Sequence, residues 1–480
     1  MQFNSRTFLI FFPLVCAVMA LTGAAPFRRM EQQRRMRIRH VLLLLASYVF
    51  YGWWNWKCCF LMLGLTLVAH FCALHMALPR RKAVLTLGVV FPLLVLGVFK
   101  YFNFFVDSFC QAFGIARAGA LNILLPVGIS FYTFQSLSYT IDVSRGRIEP
   151  ERDFVNTALY IAFFPQLVAG PIVKAGDFIP QLHEERNISL QTLAPGVQIF
   201  AFGLFKKIVL ADNLSVFVDA VHQAPAAYSG LTLLLAAYAY AIQIYCDFSG
   251  YSDMAVGCAK ILGYDLARNF NLPYLSRNVS EFWKRWHISL GAWLQQYLYI
   301  PLGGNRKGTG RTYLNLMLTM LIGGLWHGAD WTFVVWGGLH GLALCVHKAW
   351  DRWRRSRGAA KSGPLGTALS VLLTFHWAAF CFVFFRSNSI GTAAGMIAGI
   401  FTMRPGVTHI AFWAVAALAL VGLASLAACL RSRKSGSAPE GFYPLADLGT
   451  VRGLTLFFTF LGLTLALGYT GQSPFIYFQF

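Results

Sequence analysis

Apolar stretches long enough to cross a lipid bilayer recur along the whole chain of 480 residues. A helix needs about 20 apolar residues to cross a hydrocarbon core of about 30 Å, because each residue adds about 1.5 Å. Only 12% of the residues are charged, whereas a soluble domain has roughly 25%. The sequence therefore predicts an all-α fold: a polytopic transmembrane helical bundle of about 11–13 membrane segments, some of them re-entrant, in a single domain over residues 1–480.

The predicted membrane segments are 7–25, 40–56, 59–78, 83–105, 123–141, 154–172, 193–211, 229–262, 312–327, 331–349, 366–385, 407–430 and 453–470. In the first of them the basic residues follow the apolar core, which favours an uncleaved span over a secretory signal. The stretch 229–262 is too long for one simple span, and the polar residues of Cys246–Gly250 indicate a broken helix there. Residues 429–441 are polar and predict a linker before the last segment.

The net charge of +21 comes from basic residues that gather between the predicted spans. This distribution follows the positive-inside rule, so it indicates cytoplasmic loops and contact with lipid headgroups rather than nucleic acid. With Arg28–Arg39, Arg80–Lys82 and Arg145–Arg152 in the cytoplasm, the N-terminus lies outside. The ten cysteines form no CxxC pair, and the sequence has no metal motif or glycine-rich phosphate loop, so we expect no metal site and no bound cofactor.

One histidine lies deep in an apolar run. His327 is about 15 residues into this run, and the basic stretches 305–311 and 348–357 indicate a hairpin that rises from the cytoplasmic face and turns at His327–Asp330. A titratable side chain at that depth is costly, so it is usually retained for chemistry or ion movement. Asp330 is predicted to cap the next helix, and orientation of the imidazole is its alternative role.

Two other polar groups interrupt apolar sequence. Asp247 and Ser249 fit direct substrate contact and the capping of a restarted helix equally well. Near His287, Trp283 and Trp286 flank two cationic residues, a pattern typical of a helix that enters the bilayer at the headgroup level. A second histidine close to the first would position substrate, so His287 is a candidate alongside the deep histidine.

Several motifs along the chain together resemble one protein family, although no single motif would identify it. They are Met1–Ser5 with Phe8–Leu9, Leu125–Gln135, Phe163–Ile172, Asp247–Asp253, Asn269–Tyr274, Phe282–Leu290, Tyr299–Asn305 and Leu325–Gly328. Together they resemble the membrane-bound O-acyltransferase family over nearly the whole chain. Within that family the chain is most similar to the bacterial branch that serves alginate O-acetylation.

The resemblance implies a helical bundle around a funnel or tunnel, and acyl transfer from a thioester to a hydroxyl. His327 matches the catalytic histidine of the family and His287 its second motif histidine. A neutral imidazole, with a pKa near 6.5, can take the proton of the attacking hydroxyl. Trp326, Trp283 and backbone N–H groups are the candidates to stabilise the oxyanion. The predicted substrate-binding residues are Trp326, Asp247, Ser249, Trp283 and Trp286.

The resemblance also implies a donor, an acceptor and a partner. The expected donor is acetyl-coenzyme A, or a carrier-protein thioester, at the cytoplasmic face of the bacterial inner membrane. The expected acceptor is a hydroxyl of an exported cell-surface polysaccharide, reached with an extracytoplasmic SGNH-esterase-like transferase. Peptidoglycan O-acetylation and D-alanyl transfer to teichoic acid are alternatives. A transporter or export subunit is the non-enzyme alternative, but a transporter predicts internal repeats, and the sequence shows none.

Overall fold

The computed structural model describes residues 1–24, 29–76, 81–116, 119, 124–358, 363–435, 443, 445–471 and 473–478. Within these ranges every regular element is a helix, apart from one isolated bridge pair between Tyr228 and Val407. The predicted all-α fold is confirmed.

The helices are, in chain order, α1 (Arg6–Leu21), α2 (Gln32–Asn55), α3 (Lys57–Leu74), α4 (Arg81–Phe113), α5 (Ile129–Ser144), α6 (Phe154–Ala162), α7 (Phe164–Leu167), α8 (Ala175–Leu182), α9 (Leu190–Gln223), α10 (Gly230–Ile261), α11 (Val279–Arg285), α12 (Ile288–Leu294), α13 (Thr309–His327), α14 (Trp331–Ser356), α15 (Pro364–Arg386), α16 (Ile390–Phe401), α17 (Phe412–Ser435) and α18 (Val451–Leu467). Helix α4 contains a π-helical turn at Gly97–Tyr101, and α9 contains one at Phe205–Ala211.

Among the described residues, six helices are long and apolar enough to cross a membrane, namely α3, α4, α9, α10, α15 and α17. Helices α1, α16 and α18 are apolar but shorter. The predicted segments 312–327 and 331–349 form α13 and α14, which pack as a helical hairpin. These helices establish a multi-pass membrane protein.

The predicted break in the 229–262 stretch is wrong. Helix α10 runs without interruption through Cys246–Gly250 and has 32 residues, or about 48 Å. The polar side chains in this stretch did not require a break, because partners on another helix satisfy them, as described below. A continuous helix also satisfies its own backbone, which a break inside the membrane would not do.

Two other predicted boundaries differ from the structure. The predicted linker 429–441 begins inside a helix, because α17 continues to Ser435; residues 436–441 lie outside the described residues. The predicted segment 154–172 is divided between α6 and α7, and Phe163 between them has non-helical backbone angles.

The chain divides into two compact units. The first comprises Met1–Gly203, Tyr251–Ala267 and Leu445–Leu454. Its core contains a cluster of buried aromatic rings, in which Phe3 stacks on Tyr251 at 4.6 Å between ring centroids. The second unit comprises Leu204–Gly250, Arg268–Pro444 and Thr455–Phe480, and it contains all the predicted site residues.

Close packing of α13 against α14 shapes the second unit. A Cβ atom added to Gly324 would clash with the carbonyl oxygen of Phe333, and one added to Gly337 would clash with that of Met320. Small residues at such a crossing let two helix backbones approach closely, as is common in membrane helix pairs. This contact fixes the hairpin turn at the end of α13, where His327 lies.

Candidate active site

His327 is the last residue of α13 and is 3% exposed. The chain turns through Gly328 and the next helix begins at Trp331, so the predicted turn is confirmed. Asp330 caps α14, because its carboxylate accepts a hydrogen bond of 2.8 Å from the backbone N–H of Thr332. The Asp330 carboxylate therefore has the predicted capping role.

Aromatic rings surround the imidazole of His327. Their ring centroids lie 5.0 Å away for Trp326, 5.0 Å for Trp336, 5.4 Å for Phe385 and 5.7 Å for Tyr477. Such a lining excludes water and lowers the local dielectric constant, which strengthens each polar interaction made inside it.

The hydroxyl of Tyr477 lies 3.2 Å from Nδ1 of His327. Tyr477 belongs to a short 3-10 turn, Ile476–Phe478, which is 150 positions from the histidine in sequence. A hydroxyl within hydrogen-bond distance of a histidine is the arrangement of a nucleophile and its general base. Sequence reasoning missed this residue.

His287 lies beside His327, with 6.1 Å between the two ring centroids. It is fully buried, and its ring lies nearly perpendicular to that of Phe248, with 4.6 Å between the two centroids. Neither of its ring nitrogens has a hydrogen-bond partner within the part of the chain that the structure describes. Buried polar atoms without partners are costly and uncommon, so these two nitrogens are candidates to bind a ligand.

The helix that was expected to continue through His287 is broken there. Helix α11 ends at Arg285, and His287 has φ 43° and ψ 56°, in the left-handed region. A neighbouring loop stabilises the break, because the carbonyl of Asn269 accepts from the Ile288 N–H, and the carbonyl of Arg285 accepts from the Asn271 N–H, both at 2.9 Å. Non-glycine residues held in this region cost about 1–3 kcal/mol and cluster at functional sites.

The two tryptophans near His287 have different surroundings. Trp286 is 1% exposed and stacks on Phe282 at 5.5 Å, so it is a core residue that packs inside the protein. Trp283 is partly buried and its ring lies 5.6 Å from that of Trp336. The predicted tryptophans Trp283 and Trp326 thus contact the aromatic lining around His327.

Asp247 and Ser249 are tied to lysines of the π-helical turn of α9. Lys207 forms a 2.7 Å ion pair with Asp247, and Lys206 donates a 3.0 Å hydrogen bond to the Ser249 hydroxyl. Asp247 also accepts a 2.7 Å hydrogen bond from the backbone N–H of Ile476. These contacts explain why α10 needs no break, and they connect Asp247 to the segment that carries Tyr477.

His340 extends the aromatic lining along α14. It is fully buried and its centroid lies 4.9 Å from that of Trp336, which also contacts His327. Neither ring nitrogen of His340 has a hydrogen-bond partner among the described residues. Sequence alone does not show these missing partners, because they depend on which residues the fold brings around the ring.

A cavity of about 660 Å³ opens at the end of α14 that is remote from His327. Lys348 in its wall is about 26 Å along the helix from Trp331, given 1.5 Å per residue. We name it the donor-side cavity after the role that is proposed for it below. The charged residues that line it are Arg277, Lys284, Arg285, Lys348, Glu281 and Asp351. Four cations against two carboxylates give its wall a net positive charge, and Glu281 pairs with both Arg277 and Arg285.

A second cavity of about 200 Å³ lies at the His327 end of the same unit. Its wall contains Arg386, next to Phe385, and Ile476, next to Tyr477, and both of those neighbours contact His327. Asp219 pairs with Arg386 at 2.6 Å, and its side chain is 45% exposed. We name this the acceptor-side cavity after the role that is proposed for it below.

The fold and the site thus define a multi-pass helical membrane protein with a buried pair of histidines in an aromatic pocket. The family model of the membrane-bound O-acyltransferases matches residues 4–390. The chain belongs to this family and is an O-acetyltransferase.

Three relatives illustrate its place in the family. The chain is 42% identical to a probable alginate O-acetylase of Azotobacter vinelandii, over 84% of this chain and 78% of the relative. It is 37% identical to a probable alginate O-acetylase of Pseudomonas putida, over the whole of both chains. It is also 37% identical to a peptidoglycan O-acetyltransferase of Helicobacter pylori, over 75% of this chain and 73% of the relative.

Proposed function

We propose that this protein moves an acetyl group from a cytoplasmic thioester across the bacterial inner membrane, toward hydroxyls of an exported, alginate-like polysaccharide. The observation that carries the proposal is the 3.2 Å contact between the Tyr477 hydroxyl and His327 Nδ1. It puts a nucleophile against a base in a pocket that excludes water. The alginate O-acetylases among the relatives support the choice of polymer.

The donor-side cavity suits the phosphate groups of acetyl-coenzyme A or of a carrier protein's prosthetic arm, because lysines and arginines bind phosphate. The basic stretches 305–311 and 348–357 favour a cytoplasmic position for this end of the unit. The basic stretches Arg28–Arg39, Arg80–Lys82 and Arg145–Arg152 favour an N-terminus that lies outside. No bound cofactor is required, because the thioester is consumed as a substrate.

The first chemical step transfers the acetyl group to Tyr477. The phenol donates its hydrogen bond to Nδ1 of His327, which takes the proton as the phenolic oxygen attacks the thioester carbonyl. The carbon–sulfur bond breaks, and the thiolate leaves and takes the proton from the imidazolium. The products are a free thiol and acetyl-Tyr477, and His327 is neutral again.

The second step passes the acetyl group to an acceptor hydroxyl. His327 removes the proton of that hydroxyl, its oxygen attacks the tyrosyl ester, and the phenolic oxygen leaves and recovers the proton. A phenol has a pKa of about 10, close to the 8.5 of a thiol, so a phenyl ester retains much of the acyl-transfer potential of the thioester. Tyr477 is therefore better suited to a relay than a serine would be.

The acceptor-side cavity lies next to Tyr477 and provides the place from which an acceptor hydroxyl approaches. A separate extracytoplasmic esterase-like transferase is the proposed partner that carries the acetyl group to the polymer. Peptidoglycan O-acetylation is the second candidate function, favoured by the Helicobacter pylori relative. D-alanyl transfer to teichoic acid is the third.

The experiment is mass spectrometry of exopolysaccharide and peptidoglycan from cells that express the wild type, Tyr477→Phe or His327→Ala. We expect O-acetyl groups to disappear from the exopolysaccharide in both variants. Tyr443→Phe is the matched control, because it removes a phenolic hydroxyl from a ring that lies against Arg268. Unchanged O-acetyl content in both polymers would refute the proposal, and loss from peptidoglycan alone would establish the second candidate function.

A further inference from the structure

A buried charged cluster anchors the segment that carries Tyr477. Lys207 lies between Asp212 and Asp247, with 2.7 Å from its Nζ to a carboxylate oxygen of each. All three side chains are at most 5% exposed. Lys207 Nζ also donates to the carbonyl of Ser473 at 3.3 Å.

The C-terminal segment completes this cluster and is not merely adjacent to it. One lysine cannot balance two carboxylates, and Asp247 uses its other oxygen to accept the N–H of Ile476 at 2.7 Å. Ser473 and Ile476 thus each supply a backbone group to the buried charges. Buried ions are stable only when further hydrogen bonds satisfy their remaining atoms, so the cluster and the segment hold each other in place.

The π-helical turn of α9 explains how Lys207 reaches this position. A π turn inserts an extra residue and rotates the side chains that follow, and such turns recur at functional sites. Here the turn Phe205–Ala211 carries two consecutive lysines, Lys206 and Lys207, both buried. Lys206 bonds Ser249, and Lys207 is left to hold Asp247 and the C-terminal segment.

We propose that Lys207 and Asp247 are positioning residues that hold the hydroxyl of Tyr477 against His327, and so direct the acetyl group to Tyr477 rather than to water. The inference rests on the relay in the proposed function. Ile476, which Asp247 binds, is joined directly to Tyr477. A change at Asp247 therefore moves the phenol without touching the donor-side cavity or the imidazole.

The consequence is a change in how the acetyl group is partitioned. If the phenol leaves His327, the base remains and a water molecule from the acceptor-side cavity can occupy its place, since Ser473 and Ile476 line that cavity. The donor thioester is then hydrolysed: water attacks the carbonyl, the thiolate leaves with the proton, and acetate is released. Loss of folding would instead lower every product together.

The test uses purified protein in lipid nanodiscs and acetyl-labelled coenzyme A in a single turnover. Acetyl-Tyr477 is measured by mass spectrometry of the C-terminal peptide, and released acetate and thiol are measured separately. We expect Asp247→Ala to lower the acetyl-Tyr477 yield by more than about tenfold while thiol release continues as acetate, since misplacement by about 1 Å can cost 10²-fold. Asp265→Asn, an exposed carboxylate, is the control.

Two measurements keep the outcomes distinct. A wild type that releases thiol without forming acetyl-Tyr477 would refute the relay. The anchoring is then tested without activity, by the rate at which a maleimide labels Tyr477→Cys with and without Asp247→Ala. We expect fast labelling only in the double variant. Equal labelling rates, or parallel loss of acetyl-Tyr477 and thiol release, would overturn the proposal.

Discussion

Replacement of His287 by glycine should give a more stable protein than replacement by alanine. His287 has φ 43°, where a residue with a Cβ atom is strained by roughly 1–2 kcal/mol and glycine is not. Both variants remove the same imidazole and leave nearly the same cavity, so those losses cancel in the comparison. The difference in unfolding free energy between the two variants therefore measures the backbone strain at residue 287.

The magnitude follows from two opposing terms. Relief of the left-handed strain favours glycine by roughly 1–2 kcal/mol, and the greater freedom of glycine in the unfolded chain costs about 0.4–1 kcal/mol. The net advantage of His287→Gly over His287→Ala is about 1 kcal/mol. In an ordinary helix the sign is reversed, because glycine is about 1 kcal/mol less favourable than alanine there.

The assay is reversible unfolding in mixed detergent micelles, because a difference of this size shifts the melting temperature of a chain this long by only about 1 °C. Ala292→Gly is the matched control, since Ala292 lies within α12, and it should lose about 1 kcal/mol. We expect both His287 variants to lose similar acetyl transfer. A glycine variant less stable than the alanine variant would refute the claim that the backbone at His287 is strained.

Three further predictions follow from the site and the topology. The His327→Ala protein should accumulate normally but lose acetylation of the acceptor, measured by O-acetyl analysis, and His287→Ala should lose less of this activity. Near-normal acetylation by His327→Ala would contradict the role of His327 as general base. Lys348→Gln should raise the KM for acetyl-coenzyme A severalfold and leave kcat nearly unchanged, because we expect the lysine to bind the donor and the transition state equally well. A fall in kcat without a rise in KM in steady-state kinetics would contradict a role of Lys348 in donor binding. Arg81→Cys should resist an impermeant maleimide in intact cells, and efficient labelling from outside would reverse the orientation.

The His327 turn could be predicted because all its determinants are local. Asp330 precedes an apolar run and is a good helix cap, and Gly328 marks the end of the preceding helix. The continuity of α10 could not be predicted in the same way, because Asp247 finds its partner on the preceding helix, at Lys207. Sequence periodicity reports which residues are polar and does not report whether a distant cation neutralises them.

The position of Tyr477 at the site could not be predicted from the sequence either. Around Tyr477 the residues Phe475, Ile476 and Phe478 are apolar, and the phenol is the single hydroxyl among them. A hydroxyl in such a stretch is a weak signal, and only the folded chain brings it to His327. The left-handed conformation of His287 was hidden for a related reason, since the loop at Asn269 imposes it.

The buried polar groups of the second unit fall into two kinds, and the difference indicates what each does. Lys207 and Asp247 are paired with each other and with backbone groups, so their cost is already offset and they serve to fix geometry. The ring nitrogens of His287 and His340 have no hydrogen-bond partner in the described residues, so their burial lowers the stability of the fold. On the function proposed above, we expect a donor that reaches His327 past Trp336 to supply hydrogen bonds to these nitrogens, while the paired charges hold Tyr477 in place.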